Sequence, residues 1–237
     1  MKYAGKIYLI PTPLGESPDQ GKMVSNLNKE ILLEINYYLV ENIKTARRHL
    51  RTMGFNLPFD DITLMEYSKN QTEIDYAGIK RHLAEGKNIG VLSEAGCPGI
   101  ADPGSEIVKF AHEENIQICP LIGPNSIILA LMGSGLNGQS FCFHGYLPKD
   151  QKERNTKLKE IERQIKTNNQ TQVFIETPYR NKHLIESMLA ILSSEIKLCA
   201  AINLTTAHQF IKTKTIGEWR TNIPLADNQP AIFLLGK

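Results

Sequence analysis

Apolar residues fall along this chain in short continuous blocks, separated by stretches where every third or fourth position is apolar. The blocks at 6–10, 37–40, 62–67, 88–93 and 116–120 read as buried strands. Between the first two, Leu27, Ile31, Leu32 and Ile35 share one face of a helix that Ser25 is placed to cap. Residues 43–53 form a short basic helix closed by Gly54, and 74–83 and 106–114 form two more. The rhythm continues after a hinge at Gly123 and Pro124. There Asn125 or Ser126 caps a helix at 127–132, followed by a strand at 140–147 and a long charged helix at 149–166. Strand, helix and strand follow at 171–176, 181–192 and 197–202. Closing strands at 209–215 and 231–235 flank a short turn or helical piece at 217–220. The expected fold is α/β: two tandem α/β domains, 1–122 and 123–237, built on mostly parallel sheet with helices on its faces.

One stretch breaks the pattern. Residues 90–104 read G-V-L-S-E-A-G-C-P-G-I-A-D-P-G, a buried strand that ends in a turn-rich loop before the helix at 106–114. Strand, glycine-rich loop and helix in that order place a ligand site at the carboxyl end of a strand in an α/β sheet. An ordinary strand-to-helix connection is shorter. Glu94 and Asp102 are the loop's only charges. A phosphate cradle would call for a cation and free backbone N–H groups, so a neutral or cationic ligand is expected.

Composition narrows the class. At 237 residues, 41% hydrophobic and 22% charged, the chain has ample core for one large or two modest domains. No apolar run reaches membrane-span length, and the N-terminal stretch meets Pro11 too early to be a signal peptide. Four cysteines, Cys97, Cys119, Cys142 and Cys199, form no C-x-x-C pair, so neither a disulfide framework nor a zinc site is expected. A cytoplasmic protein without metal is the expectation. G-S-G-L-N-G at 133–138 matches a dinucleotide fingerprint, but a helix precedes it and a strand follows. Gly133 and Gly135 are therefore read as helix C-cap and turn. Net charge is only +2, yet residues 42–59 carry Lys44, Arg47, Arg48 and Arg51 with no acid, a candidate phosphate-contacting face. The alternative is a solvated helix face.

S-E-A-G-C-P-G-I-A-D-P-G at 93–104, L-I-G-P-N-S at 121–126 and I-Y-L-I-P-T-P-L-G at 7–15 resemble the tetrapyrrole methylase superfamily. Within it the chain is similar to the branch that methylates a cytidine ribose 2′-hydroxyl of small-subunit ribosomal RNA. The resemblance implies S-adenosyl-L-methionine as cofactor, held in a cleft between the domains, RNA as substrate, and a homodimer. By family pattern, Pro11, Ser93, Glu94, Ala95, Gly96, Pro98, Ile100, Ala101, Asp102, Gly123, Pro124 and Ser126 would face the cofactor. Phe174, Ile175 and the 199–201 strand end are weaker candidates, equally read as core. The substrate side would involve Lys44, Arg47, Arg48 and Arg51.

The substrate half departs from that branch. Its A-E-D-T-R is V-E-N-I-K here (40–44), keeping Glu41 alone of the charged positions unchanged. R-E-L-T-K becomes I-N-L-T-T (202–206), whereas I-E-T-P-Y-R (175–180) keeps Glu176 and Arg180. No catalytic base is assigned. A tetrapyrrole or other small-molecule methyltransferase and a non-catalytic paralogue stay open.

Overall fold

A computed structural model describes residues 3–17, 20–67, 74–223, 226 and 228–237. The chain divides into two compact units, Met1–Asn125 and Ser126–Lys237. Among the described residues, no helix is long and apolar enough to cross a membrane.

The first unit alternates strands and helices: β1 (Ile7–Ile10), α1 (Asn26–Glu34), β2 (Tyr37–Val40), α2 (Ile43–Thr52), β3 (Thr63–Glu66), α3 (Tyr76–Ala84), β4 (Ile89–Leu92), α4 (Ser105–Glu113) and β5 (Ile118–Pro120). Its sheet runs β3-β2-β4-β1-β5 with every pair parallel. All four residues of β4 are buried, as the sheet's central strand requires. Ile7, Leu39, Ile79, Val91 and Ile107 belong to one core cluster; Ile10, Leu32, Tyr38, Leu50 and Leu92 belong to another. Each such side chain contributes about 1.5–3 kcal/mol by leaving water. Within the second cluster the Tyr38 hydroxyl donates to the Leu32 carbonyl at 2.7 Å, so its burial leaves no orphan.

Helix starts follow local chemistry. Ser25 caps α1, its Oγ accepting from Asn28 N–H, and Asn42 caps α2 by accepting from Thr45 N–H. Glu66, at the end of β3, accepts from Ile43 N–H at 2.8 Å and so fixes α2 over the sheet edge. The expected apolar face of α1 is corrected at one position: Leu27 is 61% exposed. Asn28 turns inward instead, its Nδ2 donating to the Ile122 carbonyl at 2.7 Å.

The division between units falls after Asn125, rather than before Gly123. The reason is packing: a Cβ on Gly123 would stand 2.3 Å from Pro11 Cβ, so this segment lies against the end of β1.

The second unit comprises α5 (Ser126–Ser134), β6 (Phe141–Tyr146), α6 (Gln151–Asn168), β7 (Thr171–Glu176), α7 (Asn181–Ile191), β8 (Lys197–Ile202), β9 (Phe210–Thr215), α8 (Ile216–Thr221) and β10 (Ala231–Gly236). Its order is β6-β7-β10-β8-β9. Here the parallel expectation is corrected: β6 pairs parallel with β7, but β10 runs antiparallel to β7 and β8, and β9 antiparallel to β8. The β8–β9 connection, 203–209, is too short for a crossover helix, so the chain reverses. A Thr215–Glu218 capping box starts α8, and Trp219 Nε1 donates to the Leu198 carbonyl at 2.8 Å in the core. Gly133 lies inside α5 rather than capping it, close-packed on Ile211, while Gly135 takes φ +69° just past the helix.

Candidate functional site

The register of the first sheet makes the site. Ile10 and Val40 both lie opposite Leu92, and Glu66 lies opposite Val40. Four strands therefore end level, and Pro11, Glu41, Tyr67 and Ser93 leave the sheet at one carboxyl edge. The glycine-rich loop is built onto that edge. Thr12 and Gly96 exchange both backbone hydrogen bonds, at 2.8 and 3.0 Å. Thr12 Oγ1 donates to the Ser93 carbonyl, and Ser93 Oγ donates to the Gly96 carbonyl. Cys97 Sγ lies 3.5 Å from the Pro124 carbonyl, which ties segment 123–125 to the same loop.

These contacts sort the expected cofactor residues. Pro11, the loop 93–102, Gly123 and Pro124 come together within the first unit; Ser126 opens α5 of the second. Ser93, Gly96 and Pro98 are buried, whereas Glu94, Ala95, Ile100 and Ala101 face outward. Gly96 has φ +83°, and both its backbone polar groups are used by Thr12. The positive φ of this turn by itself calls for glycine. Phe174 and 199–201 are core: Phe174 is fully buried and stacks on Phe233, with ring centroids 6.2 Å apart.

Residues from outside the loop complete the edge. Glu41 Oε1 accepts from Glu94 N–H at 3.2 Å, and His49 Nε2 donates to the Glu94 carbonyl at 2.9 Å. Burial lowers the His49 pKa, so its imidazole is neutral at pH 7. Asp102 is half-buried. Desolvation first, then the charge of Glu94, raises its carboxyl from 3.8 to about 6. Tyr67, 5% exposed, has a buried hydroxyl with no hydrogen-bond partner among the described residues. Desolvation followed by the charges of Glu41 and Asp102 raises its pKa. The edge thus collects three carboxylates and an unsatisfied phenol, a surround that favours a ligand carrying positive charge and hydroxyls. Tyr67 was not foreseeable as a site residue, because only strand order brings it to Asp102.

The basic face of α2 splits. Arg51 Nη1 donates to the Phe55 and Leu57 carbonyls at 2.8 and 2.9 Å, and its guanidinium lies 4.2 Å from the Phe59 ring centre. Arg47 lies 5.4 Å from the same ring. Arg48 instead meets Glu16 at 3.3 Å, and Lys44 is exposed.

The same two-unit build occurs in the crystal structure of the methyltransferase CobJ (TM-score 0.62, 19% identity, 98% of this chain and 94% of that one). It also occurs in uroporphyrin III C-methyltransferase from Thermus thermophilus (TM-score 0.60, 15% identity, 98% of each chain). The fold thus defines the class, a two-unit α/β build shared with those structures. The chain belongs to the tetrapyrrole (corrin/porphyrin) methylases, whose family model matches residues 34–219. Among curated relatives, ribosomal RNA small subunit methyltransferase I of Escherichia coli O157:H7 is 30% identical over 214 residues, 90% of this chain and 70% of that protein. The Bacillus subtilis (strain 168) protein of the same name is 31% identical over 214 residues, covering 90% and 68%.

Proposed function

We propose that this protein transfers a methyl group from S-adenosyl-L-methionine to a ribose 2′-hydroxyl of ribosomal RNA. The observation that carries the reading is the carboxyl edge of the first sheet, where Glu94 and Asp102 stand on a loop without a cation. A carboxyl lifted by burial and a like-charged neighbour gains most from a positively charged ligand. The residues fit the cofactor: its sulfonium supplies the positive charge and the electrophilic methyl, and its adenosine brings no phosphate. Glu41 and His49 hold the Glu94 peptide from both sides, which keeps the loop in one geometry for alignment of donor and acceptor. The RNA part of the reading is supported by the relatives' names and by the exposed cations Lys44, Arg47 and Arg48. A cytoplasmic homodimer completes it, and sedimentation equilibrium tests the assembly.

The test is transfer of labelled methyl from the cofactor to small-subunit ribosomal RNA, with a tetrapyrrole as the competing acceptor. Label should appear in RNA and survive alkaline hydrolysis in dinucleotides, because a 2′-O-methyl group blocks cleavage of the adjacent phosphodiester. Cofactor at about 100 times its dissociation constant should also stabilise the fold by about 2.7 kcal/mol. Label in the tetrapyrrole alone would replace the substrate; no stabilisation by the cofactor or its demethylated product would remove the cofactor.

A further inference from the structure

Beside the glycine-rich loop, the segment 13–17 after β1 and the outward side of α2 enclose a cleft of about 500 Å³. That is ample for one nucleotide unit. Arg48, His49 and Thr52 form its α2 wall, Glu16 its opposite lip, and Glu94 and Ala95 join it to the loop. Of these, Arg48 is the one fixed cation, and His49 is neutral at pH 7. Arg48 Nη1 stands 3.3 Å from Glu16 Oε1, yet both side chains are largely in water, 61% and 87% exposed. Such a pair is weak and exchangeable.

We propose that this cleft is the subsite for the acceptor strand's phosphate, with Arg48 as the phosphate ligand and Glu16 as a competing carboxylate that an incoming phosphodiester displaces. The inference rests on the RNA reading above. Three observations carry it. A guanidinium that already accommodates one oxyanion presents the planar fork suited to a phosphodiester. Glu16 projects into solvent from a loop, so it leaves Arg48 at little cost. The cleft also holds Glu94, and a nucleotide offers both an anion for the arginine and hydroxyl or amino donors for a carboxylate. A simple anion offers only the first.

The arrangement gives the two partners of one ion pair opposite effects. Arg48→Ala should weaken binding of a single-stranded small-subunit ribosomal RNA fragment and flatten the log–log salt dependence by about 0.7. Glu16→Gln should tighten binding about threefold, because Arg48 is then released. In the double variant the gain from Glu16→Gln should vanish, since there is no arginine left to release. Fluorescence anisotropy with labelled RNA at 50–300 mM KCl reads all four proteins, with circular dichroism checking that each is folded. A threefold gain from Glu16→Gln that persists in the Arg48→Ala background would mean long-range charge alone, and would overturn the subsite. So would an Arg48→Ala protein that binds RNA like the parent. A parent protein that binds no RNA even at 50 mM removes the RNA reading, and the subsite falls with it.

Discussion

Replacing Asp102 by Asn removes a charge while keeping the side chain's shape, and its effect on stability should depend on pH in one particular sense. The carboxyl is lifted from 3.8 to about 6 in the folded protein, by burial and by Glu94. Below pH 3.8 it is protonated in the folded and the unfolded chain alike, so it costs nothing. Between 3.8 and about 6 the unfolded chain ionises first, and stability falls as pH rises through that window. Above about 6 the cost is constant. In full it corresponds to about 3 kcal/mol; because the side chain is only partly out of water, screening leaves about 1–1.5 kcal/mol. Asp102→Asn should therefore be more stable than the parent by about 1–1.5 kcal/mol at pH 7–8, with the difference closing by pH 4. Urea unfolding of the ligand-free proteins, followed by far-ultraviolet circular dichroism, measures this. Fluorescence would not serve, because the single tryptophan, Trp219, lies in the second unit. A difference equal at pH 4 and pH 8, or a destabilised Asn protein at pH 8, would refute the reasoning. Ligand binding gives a second arm. A sulfonium near Asp102 should favour its ionised form, so adenosylmethionine should bind the parent more tightly as pH rises through 6. Adenosylhomocysteine, which lacks that charge, should show a weaker trend.

Three further substitutions separate the roles of neighbouring residues. Tyr67→Phe removes a buried hydroxyl that has no partner among the described residues, so urea unfolding should show a gain of about 1 kcal/mol; a loss of that size would reveal a hydrogen bond to the hydroxyl. Gly96→Ala forces a side chain onto φ +83° with Leu14 Cδ2 only 3.1 Å away, and should cost about 1–2 kcal/mol of stability together with cofactor binding. An unchanged melting temperature would show that the turn tolerates a side chain. Arg51→Ala breaks two carbonyl contacts and the stack on Phe59, and should cost about 1–2 kcal/mol while leaving the RNA salt dependence unchanged. A slope flatter by about 0.7 would return Arg51 to the RNA side.

The pattern of apolar blocks carried the element order, because a strand buried on both faces and a helix with one apolar face leave different periods. Strand direction leaves no such mark. β10 is buried throughout and as apolar as β4 at the centre of the first sheet, and only pairing shows β10 running against both neighbours. The loop 93–104 was legible as a site because its turn residues are local. The partners that shape its chemistry were not: Glu41, Tyr67 and His49 reach it through the order β3-β2-β4-β1-β5, which no short stretch encodes. The same limit explains α2. Helical spacing groups Lys44, Arg47, Arg48 and Arg51 on one stripe, but Arg51 is claimed by carbonyls and a ring beyond the helix's end, and Arg48 by Glu16 from the loop after β1.

Glu94 shows how this edge can be both costly and useful. Its peptide is gripped on both sides, N–H by Glu41 and carbonyl by His49, so its position follows from β2 and α2 rather than from the mobility of a surface loop. That grip keeps its charge near Asp102, where it adds to burial in raising the Asp102 carboxyl, and the phenol of Tyr67 has no partner among the described residues. Folding by itself would be better served by Asn at 102 and Phe at 67. The retained groups destabilise the empty edge, and that free energy returns when a positive, hydroxyl-bearing ligand satisfies both carboxyls and phenol. Preorganised repulsion of this kind favours a cation over a neutral analogue of the same shape. It is the physical reason to expect tighter binding of the sulfonium cofactor than of its uncharged product, by a margin that should shrink in the Asp102→Asn protein.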